Sequence, residues 1–252
     1  MPEWIIPDWP ASPNVGALQT TRQGGVSHAP YASLNLGGHV GDDPKQVMLN
    51  RQLVQGKVAG MPLWLQQVHG VAVLDAEVAY CNAEADATVA RIPGRACVVM
   101  TADCLPVLLC DRAGTVVAAA HAGWRSLCAG ILERTVAKMA CPADQIIAWL
   151  GPAIGPQAFE VGNDVRSAFL QADAKAELAF VAAGQGKWLA DIYGLARQRL
   201  SAAGVHAVFG GKWCTVSDCE RFFSYRREGL TGRMGSFIWL VPEPPSDPKV
   251  LP

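Results

Sequence analysis

Hydrophobic and polar positions follow two periods along this chain. Apolar residues recur at helical spacing in DPKQVMLNRQLVQGKVA (43–59), through Val47, Leu49, Leu53, Val54 and Val58. The same spacing runs through GWRSLCAGILERTVAKMA (123–140), by way of Leu127, Ile131, Thr135 and Met139. NDVRSAFLQA (163–172) and LADIYGLARQRLSAAG (189–204) also predict helices. Other stretches are short, apolar and β-rich: ADATVA, ACVVMTADC, PVLLC, TVVAAAH, IIAWL and a closing SFIWLVP. LWLQQVHGVAVLDA (63–76) reads as a strand with His69 and Gly70 near its middle. TTRQGGVSHAPYASLNLGG (20–38) reads as a long shaped loop, and loops of that length usually carry function. Hairpins outnumber regular βαβ units. The pattern predicts a mixed α/β (α+β) fold, a mostly antiparallel or mixed sheet covered by helices.

Composition narrows the classes. The chain has 252 residues, 50% hydrophobic, with a formal net charge of -1. That balance favours neither nucleic acid nor an anionic membrane as a partner. The apolar runs are too short to span a bilayer. MPEWIIPDWPASP lacks the basic and long apolar regions of a signal peptide, so a cytoplasmic location is expected. In that setting the eight cysteines read as reduced thiols. Cys97, Cys110 and Cys128 sit among apolar residues and read as packing. Cys214 and Cys219 form one C-x4-C, which is a weak signal on its own.

The reactive residues gather around one hairpin. DRAG (111–114) is a turn signal between two apolar runs. With Asp111 facing Gly114, Cys104 falls opposite His121, and opposed Cβ atoms lie ~5 Å apart. That separation suits one metal held by a thiolate and an imidazole. It suits equally a nucleophilic Cys–His pair, and both residues serve as well in a packed core. The other histidines are His28, His39, His69 and His206. Of these His69, followed by Gly70, would complete a His2Cys set with an open fourth position, the pattern of a catalytic zinc site. Asp103 is a candidate to orient a ligand, to accept a proton or simply to cap the strand end.

At these residues the sequence resembles the laccase-domain, or multicopper polyphenol oxidoreductase-like, family. That family includes the bacterial peptidoglycan editing factor and purine nucleoside phosphorylases of the same fold. TTRQGGVS, SLNLG, QQVHG, TADCLPVLLCD, AHAGWR, LGPAIG and FFSYRREGLTGRMGSFIWL occur in order over nearly the whole chain. Ser126 departs from the Gly that often follows GWR. The resemblance implies a layered sandwich of mixed sheet with flanking helices, similar to a Cys-His toxin deamidase. It implies one catalytic domain over 1–241; the Pro-rich composition of 242–252 itself reads as a mobile tail. It implies zinc on His69, Cys104 and His121; independently, the metal affinity order allows one copper in the same site. It also implies phosphorolysis of adenosine, inosine and methylthioadenosine, and deamination of adenosine.

The family name suggests a copper oxidase, but a multicopper laccase needs roughly ten imidazoles. This chain has five histidines and no His-x-His pair. The leading expectation is therefore a zinc-dependent purine nucleoside enzyme taking nucleoside and phosphate, with Cys104, Asp103 and His121 as catalytic residues. Arg22, Arg226 and Arg227 are candidate phosphate donors, since guanidinium forks match phosphate. Asn35, in SLNLG, joins them as a substrate- or phosphate-binding candidate. Two alternatives stand beside this reading. One is a thiol hydrolase with Cys104 as nucleophile and His121 as base, acting on an amide or a peptidoglycan precursor. The other is a non-catalytic zinc-binding partner protein.

Overall fold

The structure is a computed structural model, and it describes residues 4–242. The tail expected over 242–252 lies, beyond its first residue, outside the described residues. In chain order, β1 (Val15–Gln19) leads through the long loop to α1 (Pro44–Gln55). Short strands β2 (Met61–Leu63), β3 (Val73–Asp75) and β4 (Ala87–Ala90) follow. Then come the longer β5 (Arg95–Thr101), β6 (Leu105–Asp111) and β7 (Val117–Ala122). Helices α2 (Trp124–Cys128) and α3 (Ile131–Met139) precede β8 (Ile146–Leu150) and β9 (Glu160–Gly162). The remainder is α4 (Asn163–Ala172), β10 (Phe180–Gly184), β11 (Lys187–Ala190), α5 (Ile192–Ala202), β12 (Ala207–Gly210), α6 (Tyr225–Glu228) and β13 (Met234–Leu240).

Two mixed sheets carry the core. The larger has the order β12-β8-β6-β7-β4-β3, and the smaller β1-β13-β5-β2. Alternation along β6 explains its unbroken apolar run. Leu108 and Cys110 pack toward Cys97, Val99 and Ile238 of the smaller sheet. Val107 and Leu109 point the other way, against Leu132, Val136, Phe169 and Leu195 of the helices. On the far side, Val54 of α1 covers Val98, Met100, Phe237 and Trp239 of the smaller sheet. The result is a helix–sheet–sheet–helix stack, as the resemblance implied; the pattern alone predicted a single sheet covered by helices. Each fully buried leucine or valine in the middle layers contributes about 1.5–3 kcal/mol.

Three local expectations are corrected. The β6–β7 register pairs Pro106 with His121 and Leu105 with Ala122, two residues from the expected pairing. The connecting loop runs past Gly114 because Asp111 takes hydrogen bonds from the Thr115 and Val116 amides and from the Thr115 hydroxyl. The helix expected over 123–140 breaks at Gly130, whose φ of 97° no helical residue adopts. His69 lies in a loop between β2 and β3, not within a strand. The eight cysteines are free. No helix among the described residues is long and apolar enough to cross a membrane.

The long loop is held by polar side chains rather than by strands. Asn50 of α1 is buried and donates to Ser27 Oγ, Ser33 O and Asn35 O. Arg22 reaches Glu228 at 2.7 Å, and Arg227 reaches the same carboxylate at 3.1 Å. Burial opposes ionisation of Glu228, but hydrogen bonds from Thr231, Arg22 and Arg227 bring its pKa down to about 2. A carboxyl with a depressed folded pKa stabilises the fold above its ordinary value of 4.5, and that stabilisation fades as pH falls toward 2. Glu228→Gln should therefore cost about 1–2 kcal/mol at pH 7 and should flatten the loss of stability between those two pH values. Denaturant melts across pH would show this. Parallel wild-type and variant curves would contradict it.

Candidate metal centre

The two sheets part at the end where β5 and β7 finish, and the reactive side chains fill the gap. Alternation puts His121 on the same face of β7 as Val117 and Ala119, toward the smaller sheet. Cys104 occupies the bend just before β6. It reaches the same point because Asp103 turns the chain with φ 85°. His69 arrives from its own loop with φ 59°. One donor atom from each of His69, Cys104 and His121 lies within 4.8 Å of the other two. Cys104 Sγ is 3.8 Å from His69 Nε2, and the two imidazole rings meet edge to face at 4.7 Å.

A buried carboxylate organises this triangle. Asp86, fully enclosed, accepts from His121 Nδ1 at 2.7 Å through Oδ1. The same oxygen accepts from the His69 amide at 3.0 Å, and Oδ2 from the amides of Gly70 at 2.6 Å and Val68 at 3.3 Å. Burial works against its charge, yet the His121 imidazole and these amides hold its pKa below the ordinary carboxylate value. With Nδ1 occupied by Asp86, His121 presents Nε2 to Cys104 and His69. That carboxylate–histidine pairing is the usual support of a ligating imidazole. The sequence reading passed over Asp86. Its signal was a lone acid inside ADATVA.

Electrostatics single out one thiol. Burial pushes Cys97 and Cys110 up to about 12. Burial also opposes ionisation of Cys104, but the charge of His121, with hydrogen bonds from His121 and His69, brings it down to about 6. Cys104 is thus a thiolate near neutral pH, which both a metal ligand and a nucleophile require. Donor types, spacing and the support on His121 fit a single transition-metal ion. Space for it depends on Gly123. A Cβ there would lie 3.0 Å from Cys104 Sγ, 3.1 Å from His69 Cδ2 and 3.5 Å from His121 Nε2.

Two cavities open from the cluster, sharing His69, Ala102, Cys104 and Tyr225. One, of about 340 Å3, also carries His39, Gln67, Met100 and Arg233. The other, of about 290 Å3, carries Trp124, Arg125, Phe159 and Arg226. The remaining sequence candidates are placed as follows. Asp103 spends both carboxylate oxygens, on Thr215 Oγ1 at 2.5 Å and on the Arg226 amide at 2.6 Å. Asn35 is buried among Gly37, Asp42 and Arg233 backbone and side-chain groups and lines neither cavity, though it accepts from the amide of Arg233, which lines one. Arg22 and Arg227 line neither cavity.

The comparisons with known proteins cover nearly the whole chain. The family described as multi-copper polyphenol oxidoreductase laccase matches residues 16–241. A purine nucleoside phosphorylase of Pseudomonas aeruginosa is 56% identical over 241 residues, covering 95% of this chain and 99% of its own. The purine nucleoside phosphorylase YfiH of Escherichia coli strain K12 is 57% identical over 244 residues, covering 96% and 100%. Among solved structures, a Neisseria meningitidis protein superposes with a TM-score of 0.93 at 53% identity, over 95% of this chain and 99% of that one. YlmD from Geobacillus stearothermophilus gives 0.83 at 29% identity, over 91% and 93%.

If Asp86 fixes the ligands, Asp86→Asn should weaken metal affinity roughly tenfold to hundredfold while the fold persists. Gly123→Ala should weaken it through crowding alone. Chelator competition with the purified variants measures both. Wild-type affinity in Asp86→Asn would remove the carboxylate from this role.

Proposed function

This chain belongs to the multi-copper polyphenol oxidoreductase laccase family, and on that premise we propose that it is a cytoplasmic, zinc-dependent purine nucleoside phosphorylase. The observation that carries the reading is the His69–Cys104–His121 triangle, open to two cavities of different chemistry. The names of its relatives in Pseudomonas aeruginosa and Escherichia coli point the same way. Copper is implied by the family description and zinc by the donor set. Five histidines argue against the several copper centres of a laccase.

In phosphorolysis an oxygen of hydrogenphosphate bonds to ribose C1′ as the C1′–N9 bond breaks. The electron pair stays on the purine, and the proton that hydrogenphosphate sheds ends on the base. The products are ribose 1-phosphate and the free purine. When bound, zinc supplies a Lewis acid to an oxygen at this centre. The chain's own residues do the positioning. Trp124, Phe159 and Tyr225 provide flat apolar walls that suit a purine ring. Asp103, with both oxygens committed, holds the bend that presents Cys104 and links it to α6 through the Arg226 amide. Adenosine deamination, in which water replaces the C6 amine, is the finer activity proposed for the same centre.

A second reading is favoured by one observation. The Cys104 thiol is lowered to about 6 beside His121, as in a thiol hydrolase acting on an amide or a peptidoglycan precursor. Metal dependence separates the two. Protein prepared without added copper should carry about one zinc per chain, and His69→Ala, Cys104→Ala and His121→Ala should each lose it. Under the phosphorylase reading, chelation abolishes phosphate-dependent inosine cleavage and exposes Cys104 to iodoacetamide, and zinc added before alkylation restores turnover. Metal-free enzyme that still turns over, and dies on alkylation of Cys104, would establish the thiol reading instead.

A further inference from the structure

The arginines that the sequence brings forward are largely spent inside the protein. Arg22 donates to Ala32 O, Cys219 O and Glu228. Arg227 donates to Thr215 O, Val216 O, Phe222 O and Glu228. Arg226 turns its guanidinium to Ala158 O and Glu160 O. Arg233 differs. It lines the 340 Å3 cavity beside all three metal-ligand candidates. Its Nη1 donates to Thr231 O at 2.9 Å and Gly232 O at 3.0 Å. Its Nε and Nη2 donate to nothing among the described residues, and no carboxylate there pairs with it.

Arg51 repeats the pattern next door. Its Nε donates to Leu36 O at 3.0 Å and its guanidinium lies over the Trp64 ring at 3.9 Å, again with no carboxylate partner among the described residues. His39 shares the Arg233 cavity. Burial, then the charges of Arg233 and Arg51, hold its pKa below the ordinary value, so it remains neutral and able to donate one N–H. Burial lowers the Arg233 pKa, and of the groups that oppose this the foremost are Cys104 and Asp103, followed by Tyr225 and Tyr31. The first two are committed, the thiolate to the histidines and the carboxylate to Thr215 and the Arg226 amide. A half-buried guanidinium with a free fork, whose neighbouring negative groups are already spent on other donors, is costly unless a ligand supplies an anion that pairs with it directly.

We propose that Arg233, backed by Arg51 and His39, seats inorganic phosphate in the cavity beside His69, Cys104 and His121. The phosphorylase reading supplies the identity of the anion, and the proposal rests on it to that extent. Phosphate then occupies one cavity and the purine the other, with the ribose carbon between them. Nucleophile and leaving group lie on opposite sides of that carbon, as a displacement requires.

The test titrates inorganic phosphate into zinc-loaded wild type and Arg233→Gln, by calorimetry, and measures KM for phosphate and for inosine. Phosphate binding should weaken roughly tenfold to hundredfold, and KM for phosphate should rise alike, with KM for inosine and zinc content unchanged. Arg233→Lys should recover part of the loss. If Arg233→Gln fails to fold, Arg51→Gln carries the comparison and should weaken phosphate in the same direction. Zinc-loaded Arg233→Gln with wild-type phosphate affinity overturns the seat, as does a wild type that binds no phosphate at millimolar concentration. Phosphate-dependent cleavage with an unchanged phosphate KM in the variant sinks the seat and spares the phosphorylase reading. Phosphate binding that needs Arg233 in a protein that cleaves no nucleoside does the reverse.

Discussion

The burial of one carboxylate governs the centre. Asp86 has no contact with solvent, and a lone buried charge of that kind would cost several kcal/mol. It stays ionised because four N–H groups converge on it, three of them from consecutive residues of one loop. The same bonds bend that loop so that His69 projects toward β7, and they fix which nitrogen of His121 faces the thiol. The backbone joins in as well, since the His121 amide donates to the Asp86 carbonyl at 2.7 Å. Fold stability and ligand geometry therefore share one set of hydrogen bonds.

Thiol chemistry is confined by the same contrast between paired and unpaired burial. Cys97 and Cys110 sit between the sheets, and burial, with the negative charge of Glu77 or Asp111 adding to it, makes them poor nucleophiles and poor ligands. Cys104 lies at the edge of the same layer, and two imidazoles reverse the effect. Six residues, about 20 Å of extended chain, separate the reactive Cys104 from the inert Cys110.

Much of this was legible in the sequence. The helix over 163–172 and the closing strand follow from periodicity, and the three clustered residues were singled out by the hairpin pairing and by the family resemblance. The parts that were not legible depend on side chains reaching across long sequence distances. Nothing local in QQVHG says that three amides will wrap a carboxylate sixteen to eighteen positions later. Asp111 moved the hairpin register by binding the loop that follows it, a contact no pairing rule includes. A sequence likewise cannot separate a spent arginine from an available one. Arg22 meets Glu228 across 206 positions, while the Arg233 guanidinium, among the described residues, donates hydrogen bonds only to carbonyls beside it.

The smaller sheet has its central pairing at the wrong end of the chain for vectorial synthesis. β13 lies between β1 and β5, and among the described residues β1 has no other strand beside it in that sheet, only a single bridge from Gln19 to Ile5. As the polypeptide emerges from the ribosome, β1 waits for some two hundred residues before its neighbour exists. Until Leu240 clears the exit tunnel, Val98, Met100 and the underside of α1 lack Phe237 and Trp239 to cover them. The nascent chain thus carries a half-built apolar layer from the emergence of β5 until that of β13, a state in which holdase chaperones have an obvious client.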